Sequence, residues 1–417
     1  MNRRRFISSA LTAAAASSVV LGCERKEFDL LIVHGLVYDG LGNEPAVIDI
    51  GVRGDRIVAL GDLSGRSCHR RIDAAGMAVT PGFIDVHTHS DVALLANPKA
   101  ESKIRQGVTT EICGNCGDSP YPLDEVSSRD TIAALQRQYE MAVSWRDLAG
   151  YFEQLQKYGV CLNVAVLVGH SSLREAVMGS DDRAPSEKEL GAMRAILRDY
   201  LGLGALGLST GLEYKPGMYA ATGELIDLCK EVAHQGAVYA THLRNEDLRV
   251  EEALDEALAI GAAVGCRVQI SHFKACQKRN WHKTALLLQA LDRARRDGLE
   301  VCCDRYPYTA YSTSLKLLLP AWSREGNDND LVARLSSEQD WLKIRAFVRD
   351  KIEALGSWES ILITRVSSPE RKSCEGQTVA HLAGAGDPYE FVRRLMIDVK
   401  GNASMCGFAM SEEDTAA

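Results

Sequence analysis

The rhythm of apolar and polar positions changes near residue 77. Upstream, short runs at 29–33, 48–52 and 56–60 alternate or are continuously apolar, and turns such as Arg53-Gly54-Asp55 separate them. Strands joined by Gly-containing turns have this pattern. It predicts a small β-sandwich segment over residues 28–80. Downstream, apolar strand candidates recur at 79–86, 108–113, 163–169, 206–209, 238–242, 268–272 and 300–303. Helical stretches, among them 130–143, 186–201 and 250–261, sit between them. Such alternation predicts an α/β fold with a parallel sheet. Seven units in succession favour a (β/α)8 TIM-type barrel over an open doubly wound sheet.

The first 23 residues follow another rule. Arg3-Arg4-Arg5-Phe6 is followed by an uncharged, Ala-rich run to Gly22. A basic start, apolar middle and small residues at the end describe an export signal, here of twin-arginine type. Val20-Leu21-Gly22-Cys23 resembles a lipoprotein cleavage box. The expectation is an exported protein, periplasmic or membrane-anchored through a lipid on Cys23. The run from Phe6 to Gly22 is short and rich in Ala and Ser, which argues against a membrane span.

A chain of 417 residues accommodates one large α/β domain and a small accessory one. A net charge of −8 argues against nucleic acid as the main partner, since phosphates would be repelled. The twelve cysteines lack the regular spacing of a disulfide framework. Cys113-x-x-Cys116 has no second CxxC to complete a zinc knuckle.

His87-Thr88-His89 ends the first strand of the repeating region. An i, i+2 spacing puts both imidazoles on one strand face, where they can grip a divalent metal. Such pairs also arise by chance, so the other strand ends decide. Cys116 follows the second strand, His170 ends the third, His242 the fifth and His272 the sixth, and Tyr306 follows the seventh. That rim is where barrel enzymes keep their chemistry. Zinc takes three or four N, S or O ligands at about 2.0–2.3 Å. His87, His89, Cys116, His242 and His272 can supply one full site and a partial second. His34, His69, His234, His282 and His381 are expected at the surface or in the core, with His170 behind the ligands and Cys113 in packing.

Several motifs occur in a fixed order. They are Pro81–His89 with Ser90-Asp91, Gln106-Gly107-Val108-Thr109-Thr110 and Gly114-Asn115-Cys116-Gly117. Ser209-Thr210-Gly211-Leu212-Glu213-Tyr214, Thr241-His242-Leu243-Arg244-Asn245-Glu246, Ser271-His272-Phe273-Lys274 and Tyr306-Pro307-Tyr308 follow. From about residue 28 to the end the chain resembles the amidohydrolase superfamily, and within it the D-aminoacylase (N-acyl-D-amino-acid deacylase) family. The resemblance implies a tight zinc on Cys116, His242 and His272. It implies a second, weaker site on His87 and His89 that shares the Cys116 sulfur. Cysteine serves there as a thiolate. The implied reaction is hydrolysis of the amide bond of a small N-acyl-D-amino acid. Tyr306 would stabilise the oxyanion, with packing on the rim as its alternative role. Lys274 and Tyr214 would hold the substrate carboxylate, and Ser312 would line the same pocket. Arg244 would assist there or form a structural ion pair. Most of the wider superfamily bridges two metals with a modified Lys on strand four. Here Ser209 and Thr210 stand there, and Lys215 lies well past the end, which weakens a cyclic-amide hydrolase reading.

The family's general base is an Asp ending strand eight in a Gly-Ser-Asp-Gly context. Met410-Ser411-Glu412-Glu413-Asp414 resembles the segment before that strand, and the sequence ends at Ala417. The expectation is a C-terminally truncated chain lacking strand eight and this Asp. Residues of about 310–400 resemble a lid-like insertion, so 361–366 is not expected to close the barrel. Asp304 and Asp398 are the candidate substitutes for the base, each expected to be structural. Two outcomes follow from the sequence: an active deacylase, or a metal-binding remnant that hydrolyses poorly.

Overall fold

The apolar run 79–86 divides between two sheets. In a computed structural model, which describes residues 26–125 and 128–416, β5 (Ala78–Val79) pairs with β1 (Phe28–Val37). β6 (Phe83–Asp85) joins the large parallel sheet instead. Pro81-Gly82 separates the two, and proline cannot donate to a ladder. The proposed signal and Cys23 lie outside the described residues. Among those described, no helix is long and apolar enough to cross a membrane.

The N-terminal unit is one mixed sheet, where a sandwich was expected. β2 (Ala46–Arg53) runs antiparallel to β1 and to β3 (Arg56–Gly61), and β4 (Cys68–Asp73) is parallel to β1. Phe28, Leu31, Val33 and Leu63 make its core. The expected runs all fall on its strands. β4 went unread because Cys68-His69-Arg70-Arg71 carries no apolar alternation.

The second unit is built on seven parallel strands in chain order. After β6 come β7 (Val108–Cys113), β8 (Asn163–Gly169), β9 (Gly207–Gly211), β10 (Val238–His242), β11 (Arg267–Ile270) and β12 (Val301–Cys303). Registers such as Thr241↔Ile270 and Thr241↔Thr210 hold neighbours parallel. Helices Glu187–Gly202, Thr222–His234, Val250–Val264 and Thr284–Arg296 connect them. Ser186 caps the first through a capping box with Glu189, a device worth about 1 kcal/mol. Val166, Leu208, Tyr239 and Val268 from strands meet Leu197, Leu228 and Ile260 from helices in one buried core. The sheet is curled: His87, beyond β6 at one edge, comes within 3.3 Å of Asp304, beyond β12 at the other.

The segment after β12 forms a layer of its own. β13 (Ala310–Ser314), β16 (Ala403–Phe408), β14 (Ile361–Val366) and β15 (Gln377–Thr378) make an antiparallel sheet in that order. Leu315, Ile344, Ile361, Leu395 and Met405 fill its core. The inserted element therefore continues to Phe408, past the expected 400. Residues 361–366 pair with β15 and β16 rather than with the parallel sheet. Residues Glu412–Ala416 are helical.

Candidate metal centre

The C-terminal ends of β6, β7, β10 and β11 point to one rim of the curled sheet, and each delivers a donor there. His242 is the last residue of β10, in register with Gly211 of β9. Cys116 and His272 sit just past their strands with φ of 53° and 35°. Left-handed backbone at a non-glycine residue costs about 1–3 kcal/mol and collects at functional sites. The Cys116 sulfur lies 3.3 Å from His87 Nε2 and 3.4 Å from His272 Nε2. The His242 ring stands against His272 with centroids 4.5 Å apart, and His89 against His87 at 5.5 Å.

These spacings fit a metal. Tetrahedral zinc with Zn–S of about 2.3 Å and Zn–N of about 2.0–2.1 Å sets sulfur and nitrogen roughly 3.6 Å apart. Both ring nitrogens of His242 are buried without a hydrogen-bond partner among the described residues. Buried polar atoms are normally satisfied, and one thiolate among imidazoles suits a borderline divalent cation.

The surroundings are anionic. Burial opposes ionisation of the Cys116 thiol, but the His272 charge and the His242, His272 and His87 imidazoles around the sulfur outweigh it, so the thiol sits well below its usual pKa. Burial also pulls His87 down, yet hydrogen bonds to Asp304 and Cys116 lift it to about 9. His242 behaves alike: against burial, Glu246, Cys116 and Glu213 raise it to about 10. A field that holds protons on imidazoles also attracts a divalent cation, which takes their place.

Three carboxylates orient the ligands. Glu246 Oε1 is 2.9 Å from His272 Nδ1 and 2.6 Å from Lys274 Nζ. His242, Glu246 and His272 lie close enough to form a second cluster, but the Lys274 ammonium already occupies that carboxylate. Nδ1 of His272 lies 2.9 Å from both Glu246 Oε1 and Lys274 Nζ, and this pair holds the ring with Nε2 towards the sulfur. Such second partners orient a ligand. Asp304 Oδ1 accepts the His272 backbone N–H at 2.7 Å and faces His87 Nδ1 at 3.3 Å, while Gln269 donates to Oδ2 at 2.9 Å. Glu213 stands 3.5 Å from His242 Nε2. Asp304 is thus fully engaged. Asp398 pairs with Arg371 in the inserted layer. Neither is free to serve as the substitute base.

The residues expected to hold substrate divide. Tyr214 packs edge-on against His242 with centroids 4.8 Å apart, and its hydroxyl is 3.4 Å from Thr313 Oγ1. Ser312 on β13 and Tyr306 line the same cavity, about 630 Å³ in volume, as His87, Cys116 and His272. The Tyr306 hydroxyl is buried with no hydrogen-bond partner among the described residues. Lys274 is 3% exposed and donates to Glu246 and to the His272 carbonyl. Arg244 takes the second of its two expected roles, a structural ion pair. Its guanidinium is spent on both Glu256 oxygens and the Met218 and Ala220 carbonyls. His170 lies behind the rim, 2.8 Å from Glu224.

The pattern of an amidohydrolase family model matches residues 70–241. The chain is 35% identical to the crystal structure of N-acyl-D-glutamate deacylase from Bordetella bronchiseptica complexed with zinc and a phosphonate inhibitor. The match covers 93% of this chain and 73% of that one, with a TM-score of 0.76. This chain belongs to the D-aminoacylase family of the amidohydrolase superfamily. It is 44% identical over 293 residues to N-acyl-D-glutamate deacylase of Alcaligenes xylosoxydans xylosoxydans, and 39% identical over 295 residues to the D-aminoacylase of the same organism. Each match covers 70% of this chain. The chain spans 59% and 60% of the length of these two relatives.

In this D-aminoacylase-family chain, sequence reading missed Glu246 and Glu213 and did not assign Asp304 its place behind His87. For Glu246 a signal existed: it follows His242 by four residues in a polar run. Glu213 and Asp304 come from other strands, so no spacing announces them.

Proposed function

We infer that this chain is a zinc-dependent deacylase that hydrolyses the amide bond of N-acyl-D-amino acids to a carboxylate and a D-amino acid. The observation that carries the reading is the Cys116 sulfur set between His87 and His272, all three lining one cavity. Deacylases of N-acyl-D-glutamate and D-aminoacylase among its relatives support the substrate class, and the zinc in the Bordetella structure supports the metal. We assign the tight site to Cys116, His242 and His272. His87 and His89 form a weaker one sharing the sulfur. The curled parallel sheet is read as that of a (β/α)8-type barrel.

A bound divalent metal supplies Lewis acidity, polarising a carbonyl and acidifying water. The chain's own residues do the rest. Burial raises the Tyr306 phenol further than the nearby Lys274 charge lowers it, so it stays protonated and donates to oxygen as negative charge develops there. Tyr214 and Ser312 shape the wall that receives the substrate carboxylate, and Lys274 lies on the same wall with its charge paired to Glu246. Glu246 and Asp304 keep His272 and His87 in register.

Metal analysis joined to a panel of N-acetyl-D- and N-acetyl-L-amino acids tests this reading. Bound zinc with D-selective hydrolysis supports the deacylase, and bound zinc without turnover counts against it. Hydrolysis of a hydantoin but of no N-acetyl-D-amino acid overturns it in favour of a cyclic-amide hydrolase. Residues 1–23 are proposed as an export signal, with lipid on Cys23. Protein from the native host should begin at or near residue 23, and an intact Met1 would refute this.

A further inference from the structure

The loop that carries Cys116 is held from both sides by one hydroxyl. Ser209 Oγ, in the middle of β9, accepts the Gly117 backbone N–H at 3.0 Å and donates to the Gly114 carbonyl at 2.5 Å. These two groups flank Cys116, and Ser209 is 1% exposed. We propose that Ser209 is a positioning residue for the thiolate: its double hydrogen bond fixes the Gly114–Gly117 turn and so sets where the sulfur stands. The inference rests on the reading of Cys116 as a metal ligand.

The turn needs such a clasp. Gly114, Cys116 and Gly117 all have positive φ, at 77°, 53° and 77°. Cys116 carries a Cβ, so its left-handed backbone costs free energy that the surroundings must offset. Ordinary strand pairing cannot supply this, because the loop has left the ladder: β7 ends at Cys113. Strand β9 instead approaches backbone to backbone. A Cβ on Gly211 would lie 1.9 Å from the Cys116 carbonyl oxygen. Ser209, two residues earlier on the same strand face, then reaches the amide and carbonyl on either side of Cys116. Both groups are buried, and unmade buried hydrogen bonds cost about 1–3 kcal/mol each. A second serine offers an internal comparison. Ser172 Oγ accepts the Ser119 N–H at 2.9 Å and donates to the Ser119 carbonyl at 2.9 Å. It clasps the same loop by the same means, but three residues past Cys116 rather than astride it.

The test is Co2+ binding by the full chain, read by sulfur-to-cobalt charge-transfer absorption and by chelator competition. The variants are Ser209→Ala, Ser209→Thr and Ser172→Ala. The expectation is a loss of about tenfold or more in Co2+ affinity for Ser209→Ala, with a weakened or shifted charge-transfer band. The size follows partners that orient a ligand. Ser209→Thr keeps the hydroxyl and should recover most of the affinity. Ser172→Ala should bind within about threefold of the unaltered protein, since its hydroxyl does not flank the ligand. Ser209→Ala binding like the unaltered protein, or Ser172→Ala losing as much, overturns the proposal. Amide exchange on the unaltered protein provides a check if Ser209→Ala does not fold. The Gly117 N–H should be protected, and its exchange at the rate of an open loop overturns the clasp. An unaltered protein with no charge-transfer band would instead refute the metal-site reading itself.

Discussion

Glu246 Oε1 lies 2.9 Å from Nδ1 of His272, while the far nitrogen of the same ring is 3.4 Å from the Cys116 sulfur. Lys274 Nζ is also 2.9 Å from Nδ1, so the Glu246–Lys274 pair holds the ring with Nε2 towards the sulfur. Glu246→Gln keeps the shape but removes the anion beside Nδ1, and it leaves Lys274 without its counter-charge. Zinc affinity should fall roughly 10–100-fold, the usual loss for such partners. Chelator competition measures it, and unchanged affinity would show that His272 needs no orienting anion.

Cys116→Ser should cost more than that. A hydroxyl does not ionise as the thiol does here, and it is a poorer donor for a borderline metal. Asp304→Asn should fall between serine substitution and no effect, because it loosens His87 while the His272 N–H keeps an oxygen to donate to. Metal content after dialysis, compared across the three proteins, should rank Cys116→Ser lowest. An Asp304→Asn protein that holds less metal than Cys116→Ser would contradict the assignment of Cys116 as the shared ligand.

Removing metal should destabilise the fold as well as the site. The donors come from β6, β7, β10 and β11, so a cation ties together strands on opposite parts of the curled sheet. At free metal one hundred times the dissociation constant, binding to the folded state alone contributes about 2.7 kcal/mol. Melting before and after chelation should show a lower midpoint, restored by added Zn2+. Identical midpoints would mean that the donors do not hold metal together.

Behind the rim, Glu224 accepts from Arg174 at 2.6 and 2.8 Å and lies 2.8 Å from His170. Glu224→Gln leaves a buried guanidinium uncompensated and should cost about 3–5 kcal/mol, measured by urea unfolding. Burial raises the Glu224 pKa, but His170 and Arg174 together bring it below its ordinary 4.5. Its stabilisation is therefore complete above about pH 4.5 and is lost as pH falls through the lower folded value. The unaltered protein should lose more stability than Glu224→Gln in that acid range. Parallel pH profiles would remove Glu224 from the account.

Much of this was legible along the chain. The 2.0 and 3.6 periodicities placed the parallel strands within a few residues, and reactive side chains at successive strand ends pointed to one rim. His87, Cys116 and His272 meet as that mapping required. The 79–86 run was misread as one strand because both halves are apolar, and only pairing partners show that they belong to different sheets.

By itself, then, the sequence determined which strands are buried and which donors stand at their ends, because both are local properties of period and position. The tertiary structure alone decided what those donors face. Glu246 lies on His272, Asp304 bridges His87 and His272, Ser209 reaches across to the Cys116 turn, and Arg244 pairs with Glu256. These pairings join residues up to about two hundred positions apart. They depend on how the sheet curls, and no spacing along a single chain encodes that closure.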